Sequence, residues 1–144
     1  MSHAMNRAER EEFLAGLHVG VIGIDADGRS LAVPIWYDYQ PGGDVWVITS
    51  PSSVKGRAFD SGQRYSLCAQ TEQPPYKYVT VEGPITSTEA CPPDLLRAMA
   101  HRYLGPEMGD MYVEATADDN ADSRVYRMTP ERWYTVDYAK DFAD

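Results

Sequence analysis

The chain has 144 residues, a formal net charge of −9 and a sequence pI of about 4.7, with 43% hydrophobic and 24% charged residues. That size holds one well-made core and not two, and the composition lies far from the disordered regime. The acidic balance repels nucleic acid and anionic membrane surfaces, so neither is expected as a partner.

Two cysteines, Cys68 and Cys91, stand far apart without a CxxC pattern, and no apolar run has the length of a signal or membrane segment. A cytoplasmic location is the expectation. The histidines His3, His18 and His101 show no metal-ligand spacing, and no metal is assigned. Residues 1–5 read as a tag remnant or disordered leader, and 6–144 as a single domain.

Asn6 with Glu9 three positions on is a capping box, which predicts a helix over 7–17 with Phe13, Leu14 and Leu17 on one face. HVGVIGI, from His18 to Ile24, then reads as a buried strand, and Asp25 to Gly28 as a hairpin turn. A second strand is expected from Ser30 to Tyr39, with Pro34 at an edge or bulge because it lacks a ladder donor. Pro41 to Asp44 turns the chain into a strand over Val45 to Thr49.

The segment 50–62 predicts a connector helix with Val54, Ala58 and Phe59 inward. Strands follow at Tyr65 to Gln70 and at Lys77 to Thr86, where Gly83 and Pro84 mark a bend. A helix opens at Cys91 to Asp94 and stops at Gly105 and Pro106. The acidic stretch Glu107 to Asp122 is expected to be mostly irregular, with room for a helical turn. Arg124 to Met128 and Trp133 to Tyr138 close the sheet around Thr129, Pro130 and Glu131. Antiparallel strands in hairpin order with a few short helices predict a small barrel.

Thr49, Ser50, Ser52, Ser53, Lys55 and Arg57 crowd one strand-to-helix junction. Hydroxyls, first-turn N–H groups and cations in that arrangement suit a phosphate, whereas the plainer alternative is a capped surface helix with solvated cations. Val33, Pro34, Ile35, Trp36 and Tyr37 could wall a planar ring or simply pack the core. Gln73 to Tyr78 is a rigid turn that aims Tyr76 and Lys77, or an edge terminator. Asp118 and Asp119 are expected on a solvated face. No GxSxG elbow or Cys–base pairing supports a nucleophile, so a bound cofactor would have to bring the reactive group.

The runs FLAGLHVGVIGIDADGRSLAVPIWYDY, VWVITSPSSVKGRAF, YSLCAQTEQPPYKYVTVEGPI and RMTPERWYTVDYAK together resemble the pyridoxamine 5′-phosphate oxidase-like, FMN-binding split β-barrel superfamily. Within it they are most similar to the flavin/deazaflavin oxidoreductases of group B, which use coenzyme F420 or FMN. The resemblance implies a mainly β, antiparallel, Greek-key-like split barrel that pairs as a homodimer with cofactor sites at the interface. It places the ring beside Val33 to Tyr37 and the phosphate at Thr49 to Arg57, with Tyr76, Lys77 and Trp133 completing the pocket, partly from the second subunit. The activity it implies is hydride transfer from coenzyme F420 to a conjugated or quinone-like small-molecule acceptor. Cations such as Arg64 and Lys77 would meet the longer anionic tail of that cofactor. The alternatives are FMN at the same site, or a non-catalytic cofactor or haem carrier.

Overall fold

A computed structural model of the chain describes residues 3–142. Helix α1 (Arg7–Ala15) starts at the capping box, in which Glu9 N–H donates to Asn6 Oδ1 at 2.8 Å and Asn6 N–H donates to Glu9 Oε1 at 2.8 Å. The segment set apart at 1–5 joins the fold from His3 onward: Met5 sits in the core, and Asp137 N–H donates to His3 O at 2.8 Å.

Strands β1 (Gly20–Ala26), β2 (Arg29–Ile35), β3 (Asp38–Tyr39), β4 (Val45–Thr49), β5 (Arg64–Gln70), β6 (Lys77–Ala90), β7 (Arg124–Met128) and β8 (Arg132–Asp137) are joined by antiparallel pairing. Their path runs β2-β1-β5-β6-β7-β4-β3, with β8 also on β6. Alternation puts one face of each strand inside, because successive side chains point to opposite faces. Ile22, Leu67 and Val81 lie in one cross-strand row and are fully buried, with Val33 and Trp133 packed at its ends. The chain is therefore a mainly β, antiparallel split barrel with short helices.

The stretch Ser30 to Tyr39 is not one strand. It forms β2 at one end of the path and β3 at the other, and only Trp36 and Tyr37 separate them. Closure of the barrel thus depends on a crossing of two residues. Tyr37 cannot continue a ladder there: its N–H donates to the Tyr103 hydroxyl at 3.1 Å, and its own hydroxyl donates to Leu14 O at 2.6 Å. Pro34 lies on β2, an edge strand, where a missing N–H costs no pairing.

Strand β6 outruns its expected end at Thr86 and changes sheets midway. Tyr78 to Pro84 pairs with β5, Ile85 to Ala90 with β7, and the register shifts between Ile85 and Ser87, as a bulge requires. The closing strands β7 and β8 do not pair with each other, since each lies on β6 in a different sheet.

Helix α2 (Val54–Gly62) buries Gly56, Ala58 and Phe59, whereas Val54 is 61% exposed, contrary to its expected inward position. The Ser53 cap sets the helical phase and turns the first residue outward. Helix α3 (Pro93–Ala115) passes through Gly105 and Pro106, where a stop was expected. Gly105, at φ +81 and ψ 169, breaks the helix, and Pro106 restarts it. Proline has a fixed φ suited to a first helical turn, so the same dipeptide reads as stop or start. Much of the stretch expected to be irregular is therefore helical up to Ala115, and only the turns after it are not. Among the described residues, no helix is long and apolar enough to cross a membrane.

Candidate functional site

The end of β4 and the cap of α2 form a continuous polar junction. Ser53 Oγ accepts from Gly56 N–H at 2.9 Å and donates to Ser50 O at 2.7 Å. Its one proton being engaged, the 3.0 Å contact with Thr49 must be donated by Thr49 Oγ1. Ser50 Oγ and Ser52 Oγ share a further bond at 2.9 Å. Gly56 is required where it stands, because a Cβ there would overlap Ser50 O. Gly56 N–H is held by the cap and Arg57 N–H by Ser53 O at 3.0 Å, which leaves Val54 and Lys55 as the first-turn donors.

This junction forms one wall of a groove of about 440 Å³. Thr49, Ser50, Ser53 and Lys55 line it with Pro34, Ile35 and Trp36 from the barrel crossing. The rest of its lining includes α3 and the turns behind it, through Leu96, Met99, Tyr112, Asp119 and Asn120. Residues from both segments singled out in the sequence therefore meet at one place.

Trp36 is held rigidly in that groove. Its ring stacks on Tyr103, with centroids 5.0 Å apart and planes 5° from parallel, and meets Tyr112 at 5.1 Å and 50°. The Tyr103 hydroxyl lies 2.6 Å from His18 O and 3.0 Å from Tyr37 O, pinning α3 to the crossing. Burial pushes the Tyr103 phenol up, partly offset by its bond to the Tyr37 backbone. Burial also pushes the Tyr37 phenol up. Both phenols stay neutral and work as structural hydrogen-bonding groups.

Several residues from the sequence reading do not line the groove. Tyr37 is fully buried, Val33 packs against the core, and Ser52 faces solvent. Arg57 turns back to donate to Ser52 O at 3.0 Å. Tyr76 is half exposed, Lys77 lines a separate hollow with Met5, Glu9 and Asp137, and Trp133 lies 4.6 Å beneath the Arg10 guanidinium. Arg64 is ion-paired to Glu131 at 3.2 Å.

Conversely, Leu96, Met99, Tyr112, Asp119 and Asn120 were not anticipated. Pro106 read as a first helical residue was the available signal, since it carries α3 on to Tyr112. Among the described residues, no group of three His, Cys, Asp or Glu side chains is placed to hold a metal ion.

The donor set suits a phosphate beside a planar apolar group: an open cation, a hydroxyl and first-turn N–H groups stand next to Ile35 and Trp36. The fold has known counterparts. The conserved hypothetical protein Rv2991 from Mycobacterium tuberculosis superposes with a TM-score of 0.74 at 21% identity, covering 98% of this chain and 90% of that one. A protein described as an F420 reductase gives 0.72 at 18%, covering 86% and 94%. A FAD-binding protein of Mesorhizobium loti gives 0.61 at 20%, covering 91% and 94%. At these identities the likeness is one of fold. No curated protein matches the chain. The family model for pyridoxamine 5′-phosphate oxidase matches residues 7–137, nearly the whole chain, and the protein belongs to that family.

Proposed function

We propose that the protein is an oxidoreductase that binds coenzyme F420 in this groove and reduces a conjugated or quinone-like small molecule. The observation that carries the reading is the meeting of Lys55, Ser50 and the α2 start with Pro34, Ile35 and Trp36 along one groove. When bound, the reduced cofactor supplies a hydride, which with one proton reduces the acceptor by two electrons as the cofactor is oxidised by two. Lys55 and the first-turn N–H groups hold the phosphate, and the crossing from Pro34 to Trp36 fixes the ring. The Tyr103 and Tyr112 contacts keep Trp36 from swinging into the ring site.

Coenzyme F420 is preferred over FMN because of the fold likeness to an F420 reductase across 86% of this chain. FMN in the same groove is the second reading, favoured by the family itself. The reading includes a C2 homodimer. Pro34, Val21, Cys68, Thr80 and Tyr134 form one cross-strand row that starts at the groove, and Val21 and Tyr134 on it are 40% and 63% exposed. A second copy on that face would cover apolar surface and bring Tyr76, Lys77 or Trp133 toward a groove they do not reach in their own chain.

Titration with each cofactor, followed by turnover of a quinone and enone panel, tests the reading. Micromolar F420 binding with turnover is expected. Yellow FMN retained through desalting would transfer the assignment to FMN, and binding without turnover of any acceptor would make the protein a carrier. Light scattering should give twice the 16.1 kDa chain mass.

A further inference from the structure

Lys55 and Asp119 line the groove from different walls, one on α2 and the other in the turns behind α3. Among the described residues, neither side chain is held in an ion pair or hydrogen bond. The groove therefore carries one cation and one carboxylate that do not neutralise each other. Ile35, Trp36 and Met99 line the same groove.

The turns that carry Asp119 are pinned. Asn120 N–H donates to Thr116 O at 3.0 Å and Ser123 N–H donates to Asn120 O at 3.1 Å. The Asn120 amide is engaged at both ends, donating to Thr116 Oγ1 at 2.8 Å and accepting from Ser123 Oγ at 3.1 Å. Those bonds fix the orientation of the Asn120 amide, and the Asp119 carboxylate is the charged group this wall offers a ligand.

We propose that Asp119 selects the acceptor by charge, so that the site takes neutral or cationic conjugated acceptors and rejects anionic ones. The inference rests on the oxidoreductase reading above, in which the cofactor phosphate occupies the Lys55 side. An acceptor carrying a carboxylate or sulfonate then meets Asp119 with its countercharge already engaged. Repulsion between like charges grows as the bound ring displaces water from the groove.

Three naphthoquinones test this: menadione, a sulfonated analogue and a quaternary-ammonium analogue, each assayed with reduced F420. The wild type should favour the neutral and cationic quinones over the sulfonate by about tenfold in kcat/KM, mostly through KM. Asp119→Asn should raise kcat/KM for the sulfonate relative to menadione roughly three- to tenfold and lower that for the cation relative to menadione by a similar factor. Dissociation constants of the same quinones, measured on protein loaded with oxidised F420, should shift in parallel, and added salt should compress the differences.

Asp118 and Asp119 are both exposed, but only Asp119 lines the groove, so Asp118→Asn should change none of these ratios. A charge ranking unchanged in Asp119→Asn, or an equal response in Asp118→Asn, overturns the proposal while menadione turnover leaves the oxidoreductase reading standing. If the loaded protein neither binds nor reduces any of the three, the reading and the proposal fall together.

Discussion

The two walls of the groove are built by different means. On the barrel side, strand ladders run through a core in which Tyr37, Val47 and Phe59 are fully buried, and the α2 junction is tied by four hydroxyl groups bonded to one another or to the backbone. On the helical side, only Met99, Ala100 and Gly109 of α3 are buried, and the helix is broken at Gly105. One wall can therefore hold an anchor in place, while the other can differ in sequence without disturbing the core. That division fits the proposed function, in which the barrel wall would hold the cofactor and the helical wall would meet the acceptor.

The largest expected effect lies on the barrel side. Phe59 packs against Tyr65 and Tyr126 with ring centroids 4.9 and 4.8 Å away, and it roots the helix that carries Lys55. Phe59→Ala should cost about 3–5 kcal/mol of stability in urea titration, the usual range for a buried aromatic. A loss below about 1 kcal/mol would mean that the barrel wall is not the rigid one.

Next comes the anchor. Lys55→Ala should weaken F420 and FMN alike by about 1.5–3 kcal/mol, the range for a charge-assisted bond, measured by cofactor titration. Arg57→Ala should do less, because that guanidinium is turned back onto Ser52 O. Equal losses in the two variants would mean that Arg57 swings to the phosphate on binding. Lys77→Ala, if that residue arrives from a second copy, should weaken F420 more than FMN.

On the helical wall, Gly105→Ala isolates the backbone break. A Cβ there would meet nothing within 4 Å, so the cost is conformational alone, about 1–3 kcal/mol for a non-glycine residue in that region. The variant should lose thermal stability and respond less to the chemistry of the acceptor. Unchanged stability would show that α3 relaxes freely about its kink.

The sequence made these two walls unequally legible. The alternation Val45, Val47, Thr49 and the Ser53 cap are local signals, and the cluster from Thr49 to Lys55 was readable because its chemistry and its geometry sit on adjacent residues. The helical wall depends on a proline whose meaning is set by tertiary packing, and on Asp119, whose place in one groove with Lys55 no spacing rule encodes. The crossing at Trp36 and Tyr37 was missed for a related reason. A run of strand-forming residues continues through it, and only the contacts with Tyr103 and Leu14, distant in sequence, divide the strand. Tyr76 and Lys77 were singled out by the rigid turn before them as well as by resemblance, and Trp133 by resemblance alone, yet a single chain does not bring any of them to the groove.

The smallest expected effect comes from the joint between the walls. His18 links α1 to β1, stacks on Phe13 with centroids 4.5 Å apart, and offers its backbone oxygen to the Tyr103 hydroxyl of α3. Burial lowers its pKa below the ordinary 6.5, outweighing the bond between its ring and Phe13 O. In the unfolded chain the imidazole takes up its proton at higher pH than in the native state. The unfolded state therefore binds more protons between the native and the ordinary pKa, and stability falls as pH drops below about 6.5. The slope must be smaller than about 1.4 kcal/mol per pH unit, the value for one whole proton. Urea titrations from pH 7.5 to 5 should show it, and His18→Gln should flatten it relative to the wild type. A decline of equal steepness in the variant would assign the acid sensitivity to other groups and leave the joint between barrel and helix indifferent to pH.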